Sequence, residues 1–230
     1  MALARDGDVR AARFCAGCHD PVPLFSGAFD DPEFDDVNHP TANAGITCVA
    51  CHAIEHLNSP RGNADYLIRA PEHYPFAFSD DPRLVWLNGI LIKGKPSFHK
   101  KTFLKPLHKS PEFCGTCHKV HLPKELNQYR WLRGQNHYDS SLLSGVSGHG
   151  VASFYYPDRA VDSCNECHMP LTPSADFGAK PDGMMGTLAV HGHHFPGANT
   201  AIPHLLDMPS GVNEKHRSLL KDSLRIDVFT

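Results

Sequence analysis

No stretch of this chain is apolar for long enough to cross a membrane. The longest apolar pieces, Leu84–Leu87 and Ile90–Ile92, are separated by Asn88 and Gly89. Both fall far below the ~18 residues that mark a spanning helix. A basic run is missing too. The 22 Lys and Arg stand against 25 Asp and Glu, a formal charge of −3, which lacks the electrostatic footprint of a nucleic-acid binder. The opening Met1-Ala-Leu-Ala-Arg-Asp-Gly-Asp8 has no apolar segment of the secretory-signal kind. Gly145-Val-Ser-Gly-His-Gly150 has neither the Lys-Ser/Thr ending nor the preceding apolar strand of a phosphate loop, and reads as a flexible turn. Methionine is scarce, with five residues.

There is no spare cysteine either. All eight belong to one motif, Cys-x-x-Cys-His, which occurs as Cys15/Cys18/His19, Cys48/Cys51/His52, Cys114/Cys117/His118 and Cys164/Cys167/His168. This is the spacing of c-type haem attachment. Two thiols add to the vinyl groups of one porphyrin, and the adjacent His binds the iron as proximal ligand. Eight cysteines also allow four disulfides in 105 connectivities, but a disulfide framework has no use for His after every second Cys. With 17 His in 230 residues, chance places one at a given position about 7% of the time, and four in a row about once in 10⁵. Two Cys₄ zinc sites would need the eight thiols alone, leaving the four adjacent histidines without a role. The sequence therefore predicts four covalent haem c groups.

Thirteen histidines remain: His39, His56, His73, His99, His108, His121, His137, His149, His191, His193, His194, His204 and His216. Each iron takes a sixth ligand or keeps an open face. Met1 is terminal, and Met169, directly after His168, cannot reach across the same ring. His/His ligation is expected for most haems. Since Met ligation raises the potential, low-potential haems follow. Each ferric haem with two ionised propionates adds a charge of about −1, so the loaded protein stands near −7.

Four porphyrins would supply much of the apolar core. The expected fold class is mainly α with long irregular loops, a haem-organised multihaem cytochrome core and little β. The reading is a single tetrahaem domain, 1–230. Within it fall a haem 1/2 unit at about 1–60, an insertion at about 61–110, a haem 3/4 unit at about 111–200, and a helix and tail at 201–230. Unequal motif spacings exclude a simple repeat. Asp8 can cap a helix to His19, and residues 20–47 are loop, punctuated by Pro21, Pro23, Gly27, Pro32, Pro40 and Gly45. Asp81-Pro82 opens a helix over Arg83–Ile92. Leu122, Leu126 and Tyr129 share one helical face, with Gly134 as the stop. Residues 139–160 and 170–185 are loops, Glu214–Leu224 is a last helix, and Leu224–Thr230 alternates like a strand. Because c-type haem is attached outside the cytoplasmic membrane, the protein is expected to be exported, periplasmic or extracellular, and this chain a mature form or part of a longer precursor.

The stretch from His39 to His52 pairs an upstream His with Gly45-Ile-Thr-Cys48-Val-Ala-Cys51-His52, and His193-His-Phe195-Pro-Gly197 follows the last motif. These elements resemble multihaem cytochromes of the group that includes the tetrahaem electron carrier of nitrifying bacteria. The extracellular cytochromes that polymerise into nanowires are similar in style. The resemblance implies that His39, upstream of motif 2, binds the iron of haem 1, and gives His108, upstream of Cys114, a comparable role. It offers His193 as the late distal ligand. His56 and His121, close behind their proximal histidines, are further distal candidates that would cross-brace neighbouring haems.

Electron transfer is the expected function, with redox proteins as partners and no catalytic residue. Self-assembly into a conductive extracellular filament is a special case of it. The alternative is a multihaem oxidoreductase acting on a small nitrogen or sulfur compound at one open iron, with Lys100, Lys101, Lys105 and Arg133 as cationic groups.

Overall fold

A computed structural model describes residues 10–127, 130–151, 158–176, 178–183, 186–224 and 228. The chain divides into two compact units, Met1–Asp162 and Ser163–Thr230. Three of the four Cys-x-x-Cys-His motifs lie in the first and one in the second. The sequence reading groups motif 3 with motif 4, whereas the contact division falls between them.

In the first unit, helix α1 (Arg10–His19) ends on motif 1. Ala12 and Ala16, four residues apart, are buried on one face. The predicted cap Asp8 lies outside the described residues. Pro21 sits in the first turn of α2 (Pro21–Phe25), where its missing N–H costs nothing. Motif 2 is the one-turn helix α3 (Cys48–His52). An antiparallel hairpin follows, β1 (Ile54–Leu57) with β2 (Tyr66–Ile68). Asp81 accepts the Arg83 amide at 2.8 Å and Pro82 is the first residue of α4 (Pro82–Gly94), as the sequence predicts. α5 (Pro96–Phe103) restarts at Pro96, and a 3₁₀ turn covers Pro106–Lys109. Ser110 then caps α6 (Pro111–His118), which ends on motif 3.

The helix expected over Leu122–Tyr129 is instead a strand, one helical turn and a second strand. β3 (Lys119–Leu122) pairs antiparallel with β4 (Leu132–Asn136), joined through α7 (Lys124–Asn127). Pro123, with no N–H to give, separates Leu122 from any helix that follows. Gly134 lies inside β4, opposite Val120, rather than stopping a helix. Tyr129 is outside the described residues. Asn136 caps the short α8 (His137–Leu142).

In the second unit, motif 4 is α9 (Cys164–His168), capped by Ser163. A three-stranded antiparallel sheet follows, in which β7 (Leu188–His191) lies between β5 (Leu171–Pro173) and β6 (Lys180–Pro181). The segment 170–185, read as loop, thus supplies two short strands. α10 (Ala201–Leu205) and α11 (Ser210–Leu220) close the unit. α11 starts and stops four residues before the predicted helix. The alternating tail 224–230 lies outside the described residues but for Leu224 and Val228.

Among the described residues helix makes up 42% and strand 12%, so helix leads, and the strands form three small sheets where little β was expected. None of the described helices is long and apolar enough to cross a membrane.

The apolar core is thin and made of small residues. Ala12, Ala16, Ala28, Ala53, Ala179 and Ala189 are buried, with Phe29 and Ile54. By contrast Phe78 is 81% exposed and Trp86 69%. Among the described residues many large apolar side chains are left without protein cover.

Candidate haem-attachment sites

Each motif folds as the end of a helix, with its His as the last helical residue. Cys at i and i+3 and His at i+4 then share one face of a single turn. Capping side chains fix where three of these helices begin. Thr47 accepts the Ala50 amide, Ser110 the Phe113 amide and Ser163 the Asn165 amide, each at 3.3 Å. None of the eight cysteines is disulfide-bonded.

Two of the four predicted proximal histidines are held by the ring nitrogen that iron does not need. His52 Nδ1 bonds the Phe103 carbonyl, and His168 Nδ1 the Pro196 carbonyl at 2.6 Å. A carbonyl oxygen only accepts, so Nδ1 carries a proton, and in the neutral ring the lone pair is then on Nε2. That tautomer and that outer partner are what a metal-binding imidazole requires. His191 has the same arrangement, with Nδ1 donating to the Met169 carbonyl at 2.6 Å. His19, His118 and His168 are exposed and His52 is half-buried. His118 lies 5.5 Å from the ring of His137.

The hairpin loop between β1 and β2 ties motifs 1 and 3 together. Tyr66 donates its hydroxyl to the Gly17 carbonyl at 2.7 Å, inside motif 1. The Ala64 amide bonds Thr116 O at 2.9 Å, inside motif 3, and the Asn63 amide bonds Lys119 O at 3.0 Å. Asp65 braces the loop through Asn58 and Ser59; these hydrogen bonds, followed by Arg61, hold its carboxyl below the usual range. Cys18 and Cys117 share a hydrogen bond, which lowers the Cys18 thiol and, with burial, raises that of Cys117. Burial, then Cys117, Cys18 and Cys51, pushes the Tyr66 phenol well above its ordinary value. Tyr66 thus lies against motif 1, while its loop bonds motif 3.

The predicted distal histidines differ in setting. His108 stands 4.7 Å, ring to ring, from His52, which brings a predicted proximal and a predicted distal ligand together. Burial, then the charges of His52 and Lys105, lowers His108 to about 4, so it is neutral and able to ligate at neutral pH. His39 packs on Phe34 at 4.9 Å, and its Nδ1 accepts the Thr41 amide at 3.2 Å with Thr41 Oγ1 at 2.8 Å from the same nitrogen. His193 is exposed and lies 5.9 Å from Phe195. His56 is exposed on β1, opposite Leu67. His121 has another partner: its Nε2 accepts from Asn63 Nδ2 at 3.2 Å while its amide bonds Asn63 Oδ1 at 2.8 Å. Trp131 stacks on that ring at 5.4 Å.

Lys105, Tyr66 and His191 are the residues that sequence reasoning undervalued. No motif marks the first two. His191 was one of three histidines in a four-residue stretch, and only its bond to Met169 sets it apart.

The donor set fits haem: paired thiols on one helical turn stand beside an imidazole, and in motifs 2 and 4 its Nδ1 is tied to a carbonyl, while a haem iron takes one protein ligand on each face. Searches against protein-family models, curated proteins and solved structures return no match.

Proposed function

We propose that this protein carries electrons through four covalently attached c-type haems, most of them bis-His ligated and of low potential. The supporting observation is the folding of every Cys-x-x-Cys-His motif as one helical turn ending on its His, with motifs 1 and 3 joined through the β1–β2 hairpin. In this reading Cys15/Cys18, Cys48/Cys51, Cys114/Cys117 and Cys164/Cys167 hold the porphyrins. His19, His52, His118 and His168 are the proximal ligands. When bound, each haem supplies a one-electron Fe(III)/Fe(II) couple. The chain itself fixes positions and tautomers: Phe103 and Pro196 carbonyls keep His52 and His168 protonated at Nδ1, and the β1–β2 hairpin ties the attachment turns of motifs 1 and 3 together.

Closeness of the attachment points is what favours a carrier. Cys18 and Cys117 are hydrogen-bond neighbours, so groups bonded to them share an edge, and an electron can pass without a substrate pocket. The conduit order then departs from sequence order, with motif 1 next to motif 3. Export, redox-protein partners and assembly into filaments belong to the same proposal. Intact-mass spectrometry of the protein matured in a periplasm tests it. A gain of four haem masses is expected. Fewer than four, or bound zinc, overturns it.

A further inference from the structure

A partly buried cation sits at the end of motif 2. Lys105 Nζ donates to the carbonyl of His52, the predicted proximal ligand, at 2.8 Å and to the Ile54 carbonyl at 3.1 Å. Its side chain is 15% exposed. The nearest opposite charge is Glu55, at 3.4 Å and 41% exposed, so water screens the carboxylate more than the ammonium. Lys105 also bears electrostatically on His108, whose ring packs on His52. It is thus close to both residues on which the iron of motif 2 would depend. The other lysine buried beside a motif, Lys119 near motif 3, is neutralised more directly, by Asp139 at 2.7 Å.

We infer that Lys105 is a tuning residue, a fixed positive charge that raises the reduction potential of the haem at Cys48/Cys51/His52 above what its bis-His ligation alone would give. This rests on the tetrahaem reading. One-electron reduction of that iron, by any chemical reductant, makes the site more negative by one charge; no bond forms or breaks. A neighbouring cation of low exposure stabilises the reduced form, and the effect is large because the ammonium is partly withdrawn from water. The bland alternative is that Lys105 merely caps the last carbonyls of a short helix, as basic residues often do.

A potentiometric titration of the holoprotein followed by haem absorbance separates the two. Lys105→Met should shift one midpoint of the four by about tenfold in the reduction equilibrium toward the ferric form, or about 59 mV downward. Lys105→Arg should hold that midpoint near wild type. Glu55→Gln keeps Lys105 and its carbonyl bonds but removes the opposing charge; it should raise the same midpoint by about two- to threefold. A capping role predicts no upward shift in Glu55→Gln. Four haems retained with every midpoint unmoved in Lys105→Met, or all four lowered equally, overturns the inference while leaving the tetrahaem reading intact. If Lys105→Met fails to mature, an unmoved midpoint in Glu55→Gln overturns it alone. A wild-type mass short of four haems instead defeats the reading on which it rests.

Discussion

At the scale of single residues, histidine chemistry is decided by the nitrogen the protein occupies. His108 and His121 both precede or follow a motif closely, and both have lowered proton affinity. His108 meets His52 and is held neutral by burial. His121 spends Nε2 on Asn63 and stacks on Trp131. His108→Ala is therefore expected to leave all four haems attached but convert one to a high-spin spectrum. On the tetrahaem reading His121→Ala should keep every haem low-spin and cost about 1 kcal/mol of stability through the lost bond from Asn63 Nδ2 to the ring. Absorption and EPR spectra of the two variants check this. A high-spin signal from His121→Ala, and none from His108→Ala, would reverse the assignment. The four motifs are legible in the sequence because one spacing fixes Cys, Cys and His, and each folds as a helical turn ending on its His. The settings of the other histidines are not legible, because an isolated His carries no sequence mark of what its Nδ1 will find.

Between residue and domain, the small elements do the bracing. The β1–β2 loop reaches motif 3 because Gly62 has φ +82, and a Cβ there would run into the Lys119 carbonyl. Gly45 also has positive φ, at +57, but open space around it. Gly62→Ala should cost about 3 kcal/mol or more, combining backbone strain with the clash. Gly45→Ala should cost about 1 kcal/mol from strain alone. Denaturant midpoints of the two variants test the contrast, and equal midpoints would show that the loop does not bear on motif 3. The same brace has a pH signature. Hydrogen bonds hold the carboxyls of Asp65 and Asp139 below their ordinary values, in Asp139 led by Lys119 and then Asn136. A depressed carboxyl contributes stability above its unfolded pKa of about 3.9, and loses it as pH falls through the folded value. Asp65→Asn should lower stability at pH 7 and flatten the acid limb below about pH 4. Chemical denaturation across pH 2–7 reads both; an unchanged acid limb counts against the brace. The helix at Pro82–Gly94 could be read from Asp81-Pro82, a local signal. The β3–β4 hairpin could not, because Leu122 and Leu126 satisfy a helical spacing that cross-strand pairing of Leu122 with Leu132 overrides.

For the molecule as a whole, stability is a question of what fills the interior. Composition points to a core that is not all protein. Among the described residues the buried apolar side chains are mostly small, alanines and prolines with Phe29 and Ile54, while Phe78, Trp86 and Leu143 stand 69–84% exposed. At about 25 cal/mol per Å² of apolar surface, large apolar side chains left in water withhold stabilisation comparable with the 5–15 kcal/mol by which domains are usually stable. The conformational entropy of ordering the chain opposes folding in full all the same. The unloaded polypeptide should therefore not hold this fold. Produced where no haem is attached, or with every motif cysteine changed to Ser, it should unfold without a cooperative transition and be cut rapidly by protease. The loaded protein should melt in a sharp transition and resist cleavage, because thioether and Fe–N bonds tie loop to loop and the porphyrin faces cover exposed apolar side chains. Circular dichroism melts and limited proteolysis of the two forms decide it. A cysteine-free chain that melts cooperatively near the holoprotein temperature would show that the polypeptide alone builds a sufficient core, and the thinness of the buried set would then need another cover, such as a second copy of the chain.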